Sequence, residues 1–246
     1  MPWPYDDDTP TSVAGAPPSG SNPDVSVLQD INGIAGSTPH WLDRGIAFAG
    51  EYGLVLLLGL ILVACWWRVR RAAAPQGATA SVAALLWAPC AAAIAILVNV
   101  PLRNFVERPR PFVDHHDGIT LLLSGKGGYS FVSDHATVAA ALAVGIYMAN
   151  RRFGVVALVI ALAEGLSRVY LGVHYPSDVV GGFALGTAVA LLLAPLGTAW
   201  LGRLLRHVPW LAPGARPVTE ADAGAAIPAP GRSSDQQLWE DPGRAA

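Results

Sequence analysis

Three short clusters of polar side chains stand among the long apolar runs of this chain, and their residue types suit phosphate chemistry. In chain order they are Arg103 and Arg110, then Ser133, Asp134 and His135, then Arg168, His174 and Asp178. Phosphoryl transfer spreads negative charge over the equatorial oxygens in its transition state, so a site for it needs preorganised positive charge and hydrogen-bond donors. The arginines can supply both, because a guanidinium group grips phosphate with two parallel hydrogen bonds.

The remaining cluster residues could complete a catalytic set. Ser133 precedes a predicted helix, whose first-turn amides, including that of Asp134, would form an anion site strengthened by the helix dipole. If no metal activates water, a nucleophile is needed, and His174 can serve once a carboxylate such as Asp178 fixes its tautomer. His135 is then a candidate general acid for the leaving oxygen.

Each of these residues also has a purely structural explanation. Ser133 could be a helix N-cap, and Asp178 follows Pro176 at a helix start, where the dipole favours an acid. Arg103 and Arg110 could be anchors at the membrane surface. Arg168 is harder to explain in this way, because it lies near the end of an apolar span, where arginine is costly. Glu164, one turn earlier, is predicted to pair with it.

The spacing of the clusters resembles the three-part signature of the type 2 phosphatidic acid phosphatase superfamily. The patterns Arg-x6-Arg-Pro, Ser-x-His and Ser-Arg-x5-His-x3-Asp occur together and in that order, between about residues 100 and 182. The resemblance implies a metal-independent phosphatase without a cofactor. It also implies that the nucleophile is His174, its orienting partner Asp178, the acid His135, and the phosphate-binding residues Arg103, Arg110, Ser133 and Arg168.

The chain departs from that signature at three positions. Arg103 replaces a lysine, Val132 a proline and Asp134 a glycine. The Asp134 amide can still bind phosphate, but its carboxylate must point away. The form Ser-Asp-His is similar to the bacterial undecaprenyl-diphosphate phosphatase branch, which is linked to bacitracin resistance, and parts of the segment 31–53 are similar to that branch as well.

The composition places these clusters on membrane helices. Of the 246 residues, 52% are hydrophobic and only 14% charged, against about 25% charged in a typical soluble domain. A net charge of -2 gives no indication of a nucleic-acid partner. We predict an all-α integral membrane bundle with an interfacial helix at 24–37. Its five spans are predicted at about 45–67, 80–101, 133–150, 153–172 and 178–201.

The distribution of arginine predicts the orientation of the bundle. Basic residues follow the first and fifth spans and separate the third from the fourth, which indicates a cytoplasmic location for those ends. The three clusters would then share the outer face of the plasma membrane. Residues 1–23 and 213–246 are rich in Pro, Gly and polar residues and are predicted to be disordered, which leaves 24–212 as the membrane-embedded phosphatase domain.

Other residues that could suggest a metal or a nucleotide have simpler explanations. Cys65 and Cys90 lie in apolar runs, where free thiols are expected. The run His115-His116-Asp117 is interpreted as a solvated loop, because three adjacent residues do not easily face one ion. Lys126 lacks the glycine pattern of a nucleotide loop and is only a candidate contact for a second phosphate. No metal is therefore predicted.

The resemblance implies hydrolysis of an undecaprenyl-type diphosphate to the monophosphate through a phosphohistidine, during cell-wall biosynthesis. The partners would be the lipid-linked phosphate and the membrane lipids. Three other substrates stay open, namely phosphatidic acid, phosphatidylglycerophosphate and a polyprenyl-phosphosugar phosphate. A lipid transporter without catalysis is the alternative from another class.

Overall fold

The computed structural model describes residues 22–71, 78–115, 118–123 and 127–208. The predicted disordered ends lie outside these ranges, apart from residues 22 and 23, and so do His116, Asp117 and Lys126. The described residues contain helices and connecting segments but no β-strand. The α-helices are α1 (Pro23–Gly33), α2 (His40–Phe48), α3 (Leu54–Arg71), α4 (Ala78–Val106), α5 (Pro111–Asp114), α6 (Asp134–Ala149), α7 (Arg151–Tyr170), α8 (Pro176–Leu192) and α9 (Ala194–Leu205).

The apolar helices occupy the predicted positions, which confirms the all-helical membrane bundle. Helices α2 and α3 are joined by a π-helical turn at Ala49–Gly53, so the first span is a continuous helix of 32 residues from His40 to Arg71. The second, beginning at Ala78, and the fourth, α7, are also long and apolar enough to cross a membrane. Helices α8 and α9 form one further span if taken together, and α6 is apolar but only 16 residues long.

The last span is bent by 53° where α8 meets α9. Pro195 lies in the first turn of α9. Because proline has no backbone N–H and clashes with the preceding turn, a continuous helix cannot pass through this point unperturbed. The fifth span predicted at about 178–201 is present as an apolar segment, and it consists of two helices that meet at this bend.

Helix α6 lies at the centre and packs against α3, α4, α7 and α8. Small residues permit this close approach. A Cβ atom added to Gly186 would lie 2.2 Å from the carbonyl oxygen of Thr137, and one added to Gly145 would lie 2.3 Å from the Ala88 Cβ. Helices in membranes associate through such small-residue contacts, since the lipid gives little hydrophobic drive between them.

The alternating helix directions bring four helix ends together. The C-terminal ends of α4 and α7 and the N-terminal ends of α6 and α8 lie at one end of the bundle, which is also covered by α1. Asn32 at the end of α1 donates to the carbonyls of Thr120 (2.9 Å) and Tyr170 (2.7 Å), and so fixes the helix to this end. All three predicted clusters lie here.

Candidate active site

His174 lies in the short turn between α7 and α8 and is buried. Its Nδ1 is 2.9 Å from the carbonyl oxygen of Ser130, which can only accept, so Nδ1 carries the proton. Nε2 then has the lone pair, which accepts a long hydrogen bond from Nη1 of Arg110 at 3.5 Å. The ring therefore presents a nucleophilic nitrogen to a cation that can hold phosphate.

Asp178, the predicted orienting residue, is close to this histidine but is not its nearest acceptor. Its Oδ2 lies 3.7 Å from Nδ1 of His174, and the same oxygen accepts from the Tyr175 amide at 2.9 Å and from the hydroxyl of Ser130. Asp178 is thus both the first-turn acid of α8 and a neighbour of the candidate nucleophile. The hydrogen bond that fixes the tautomer comes from Ser130, which the sequence alone does not indicate.

The surroundings of His174 keep its imidazole neutral. Burial lowers the pKa of His174 below its usual value of 6.5, the positive charges of Arg110 and Arg168 lower it further, and Asp178 opposes them. A neutral imidazole has the lone pair that attack on phosphorus requires.

Arg110 is buried, and backbone carbonyls hold its side chain. Its Nε donates to the carbonyls of Gly127 (3.2 Å) and Gly128 (3.1 Å), and its Nη1 donates to that of Val173 (3.1 Å). These three partners are neutral, so none of them pairs with the positive charge of Arg110. That charge is repelled by Arg103 and Arg168 and attracted by Asp134 and Asp178, so an anion bound between the three arginines would relieve their mutual repulsion.

Arg103 and Asp134 form an ion pair beside this cluster. The Asp134 carboxylate also accepts from Nδ2 of Asn99 at 2.7 Å, so it points towards Arg103 and Asn99 and leaves its own amide clear. Within the described part of the chain, the buried Nε of Arg103 has no hydrogen-bond partner. Arg103 therefore still has a donor to offer to phosphate.

Ser133 caps α6, as its structural explanation predicts. Its hydroxyl accepts from the Ala136 amide at 3.4 Å, and its own amide donates to the carbonyl of Asp178 at 3.1 Å. The second contact ties the start of α6 to the start of α8. Ser133 itself is fully buried at this junction, and its hydroxyl hydrogen can still be donated.

Arg168 is only 1% exposed and is held between two carboxylates. Its Nη1 donates to Oε2 of Glu51 at 3.1 Å, and its Nε lies 3.5 Å from Oε1 of Glu164, which confirms the predicted pairing with Glu164. Considering the described residues only, Nη2 of Arg168 is buried without a hydrogen-bond partner. Glu51, from the π-helical turn, is a partner that the cluster spacing does not predict.

His135 faces an open, mainly apolar cavity of about 510 Å³ between the start of α3 and α6. Its Nε2 lies 3.4 Å from the carbonyl oxygen of Glu51. The cavity is lined by Glu51, Tyr52, Val55, Leu56, Asp134, His135 and Val138. An apolar chain attached to a phosphate would find apolar walls here next to a candidate proton donor.

The sequence contained partial signals for the residues that the spacing missed. Glu51 is a charged residue inside an apolar span, which by itself suggests a functional or pairing role. Arg108 contacts Asp178 at 2.8 Å, and its position two residues before Arg110 is the only hint of this. Within the described ranges, no group of three or more His, Cys, Asp or Glu residues is arranged to hold a metal ion.

Comparisons with known proteins find a matching family and similar sequences. The model of the PAP2 superfamily matches residues 82–200, which contain all three clusters. The chain is 31% identical to undecaprenyl-diphosphatase BcrC of Bacillus subtilis over 151 residues, which cover 61% of this chain and 72% of that protein. It is 36% identical to decaprenylphosphoryl-5-phosphoribose phosphatase of Mycobacterium tuberculosis over 178 residues, 71% of this chain and 90% of that one.

A solved structure shares the fold. The crystal structure of Aquifex aeolicus LpxE superposes with a TM-score of 0.50 and 19% sequence identity, covering 71% of this chain and 96% of that one. At this identity the likeness concerns the arrangement of the helices alone.

Proposed function

The chain belongs to the PAP2 superfamily of membrane lipid phosphatases, and we propose that its substrate is a polyprenyl diphosphate of the undecaprenyl type, which it hydrolyses to the monophosphate. The observation that carries the chemistry is the state of His174. Its Nδ1–H donates a hydrogen bond to the Ser130 carbonyl, and its Nε2 lies 3.5 Å from Nη1 of Arg110.

The reaction takes two steps. Nε2 of His174 attacks the terminal phosphorus, the bond to the bridging oxygen breaks, and His135 gives its proton to the departing polyprenyl phosphate. Water then attacks the phosphohistidine, the P–N bond breaks, inorganic phosphate leaves and His135 takes back a proton. Asp178 stabilises the charge on the ring of His174 throughout.

Positive charge and amides hold the transferred group. Arg110, Arg103 and Arg168 bind the equatorial oxygens, with the free donors of Arg103 and Arg168 available for this purpose. The hydroxyl of Ser133 and the amide of Asp134 add hydrogen bonds at the start of α6. Such preorganised groups act most strongly in a site from which water is excluded.

The site faces the outside of the plasma membrane in this proposal. Arg68, Arg70 and Arg71 end α3, Arg151 and Arg152 begin α7, and Arg203 lies in the last turn of α9, all at the opposite end of the bundle. Basic residues favour the cytoplasmic side. An outer-face enzyme would recycle the lipid carrier of cell-wall synthesis, and its overproduction would raise resistance to bacitracin.

One rival substrate has specific support. The Mycobacterium tuberculosis relative, named for a decaprenylphosphoryl-5-phosphoribose, matches over more of both chains than the Bacillus subtilis diphosphatase does. A polyprenyl-phosphosugar phosphate would present a monoester to the same histidine, and the same apolar cavity could receive its chain. Phosphatidic acid and phosphatidylglycerophosphate are the remaining candidates.

The test is phosphate release by the purified full-length protein in detergent from four lipids: undecaprenyl diphosphate, decaprenylphosphoryl-5-phosphoribose 5-phosphate, phosphatidic acid and phosphatidylglycerophosphate. We expect the diphosphate to give the highest kcat/KM. His174→Ala should lose at least about 10³-fold in rate, since it removes the nucleophile. His207→Ala, exposed at the opposite end, is the matched control.

Rapid quenching with substrate labelled in the terminal phosphate should give an alkali-stable, acid-labile protein-bound label that His174→Ala lacks. Full activity in His174→Ala would refute the assigned nucleophile. A higher kcat/KM for another lipid of the panel would refute the diphosphate assignment, and loss of activity with a chelator would point to a metal-dependent reaction.

A further inference from the structure

Arg108 is not among the predicted site residues, yet its guanidinium group contacts four side chains at the edge of the site. Its Nη1 donates to Oδ1 of Asp178 at 2.8 Å and to the hydroxyl of Ser177 at 2.6 Å. Its Nη2 donates to Oδ2 of Asp24 at 2.6 Å, and the group lies 3.8 Å from the ring centre of Tyr175. Burial raises the pKa of Tyr175 to about 12, so the ring below the cation stays neutral.

Asp24 comes from the first turn of α1, at the start of the described chain. Besides Arg108, it accepts from the amide of Ser177 at 2.9 Å and from the Ser177 hydroxyl at 2.5 Å. These contacts fix α1 to the first turn of α8, the turn that carries Asp178. A chain of charge contacts therefore runs from α1 through Arg108 to the carboxylate beside His174.

The two oxygens of Asp178 have different partners. Oδ1 is bound by Arg108, whereas Oδ2 is bound by Ser130 and Tyr175 and faces His174. Arg108 therefore sets the rotation of the carboxylate and offsets part of its charge. It does so from the side opposite to the histidine and has no contact with the phosphate-binding donors.

We propose that Arg108 is a positioning residue for Asp178 and His174 and that Asp24 holds Arg108 in place. Helix α1 thereby contributes a side chain on which the geometry of the active site depends. This inference rests on the proposed role of His174. It adds α1 to the active site, and this helix lies before residue 82, where the match to the family begins.

The expected consequence is a change in rate and in the titration of His174. Without Arg108, Oδ1 of Asp178 would lose its partner and only the contacts of Oδ2 would hold the carboxylate, so it could tilt relative to His174, and a misplacement near 1 Å can cost about 10²-fold in rate. We expect kcat to fall by about 10- to 100-fold with KM nearly unchanged, because Arg108 does not bind the substrate. The charged groups that face His174 are Arg110, Arg168, Asp178 and Asp134.

Arg108 offsets the negative charge of one of these groups, Asp178. Its loss would favour the imidazolium form, so the pKa of His174 should rise by about half a unit to one unit. The acidic limb of kcat/KM should move to higher pH by the same amount.

The experiment compares Arg108→Gln, Arg108→Lys, Asp24→Asn and the double variant Asp24→Asn/Arg108→Gln in the full-length protein. Asp30→Asn is the matched control, because Asp30 is exposed on the same helix and has no ion pair among the described residues. Steady-state kinetics with whichever lipid phosphate the wild type hydrolyses gives kcat, KM and the pH profile. Titration of ¹⁵N-histidine signals by NMR, with His174→Gln to assign them, follows His174 without any substrate.

We expect Arg108→Lys to retain most of the titration behaviour, and Asp24→Asn to lose about 3- to 10-fold in kcat. The double variant should be no worse than Arg108→Gln, since groups that act through one another are not additive. Unchanged kcat and an unchanged His174 titration in folded Arg108→Gln would overturn the proposal for Arg108. Fully additive losses would overturn the link through Asp24.

The two proposals fail in different ways. If the wild type hydrolyses no lipid phosphate but the His174 signal shifts in Arg108→Gln, the proposed function is wrong and the coupling stands. If the wild type is active and the variant differs only in its thermal unfolding midpoint, Arg108 is merely structural and the inference is wrong.

Discussion

Gly50 lies in the π-helical turn and faces the side chain of Arg168, so Gly50→Ala should directly disturb this arginine, which we propose binds phosphate. An added Cβ would lie 2.5 Å from Oγ of Ser167 and 2.8 Å from Nη2 of Arg168. These distances fall about 0.9 and 0.6 Å short of the 3.4 Å at which ordinary contact begins. The new methyl group therefore cannot be accommodated without movement.

The guanidinium group has little room in which to give way. It is held between Glu51 and Glu164, and Arg168 as a whole is 1% exposed. Overpacking of this kind costs typically about 1–3 kcal/mol of stability. If the strain moves the guanidinium by about 1 Å, the loss in kcat/KM should be about 10²-fold.

The assay measures kcat/KM for phosphate release together with the thermal unfolding midpoint. Gly45→Ala is the control, because its Cβ would meet no atom within 4 Å and alanine is favoured over glycine in a helix by about 1 kcal/mol. The control should keep its activity. If Gly50→Ala stays within about threefold of the control in kcat/KM, the argument that Arg168 is held by packing in a functional position is refuted.

Three further predictions concern the histidine, the helix packing and the second carboxylate. Because the pKa of His174 is lowered from 6.5 and its neutral ring is the proposed nucleophile, kcat/KM should fall on the acid side only below pH 6.5, and an acidic limb above that value would contradict the assignment. Gly186→Val places atoms against the Thr137 carbonyl, so the unfolding midpoint should drop by the equivalent of about 3 kcal/mol, whereas Gly202→Val, with open space around it, should not change it. Glu164→Gln should lower kcat/KM about tenfold by releasing one side of Arg168, and a variant with unchanged activity and stability would remove any role for that pair.

Much of the helical architecture follows from hydropathy, and the deviations have physical reasons. The first span begins at His40 and not at 45, because His40, Asp43 and Arg44 make the first turns polar while the helix continues through them. The bend at the end of α8 depends on a single proline in an otherwise apolar run. Hydropathy averages over both features, so it gives the span but not its start or its shape.

The site could be predicted only where side-chain type carries the information. The spacing of arginine, serine and histidine along the chain is enough to indicate His174, Asp178, Arg110 and Arg168. The acceptor of the His174 proton is a backbone carbonyl, that of Ser130, which every residue type possesses. Such a contact depends on how the loop before α6 folds over α8, and the spacing of residue types does not predict that path of the backbone.

Two parts of the chain supply the side chains of the candidate site. The arginines proposed to bind phosphate and both candidate catalytic histidines lie within residues 82–200, the range shared with the family. The side chains that lie next to them from outside that range are Asp24, which reaches Asp178 through Arg108, and Glu51, which binds Arg168. Four of the seven residues lining the apolar cavity, Glu51, Tyr52, Val55 and Leu56, also come from this earlier part.

A phosphate group is the same in every lipid phosphate, whereas the atoms beyond it differ. The groups that distinguish one lipid from another must then be contacted by the walls of the cavity and by the residues that orient the arginines. Four of the seven residues lining the cavity come from the first span, which also supplies Glu51 beside Arg168. Exchanging residues 40–71 between this chain and a relative of different substrate should therefore change the order of kcat/KM values across the lipid panel, while the proposed phosphohistidine chemistry should stay with the residues of the shared range.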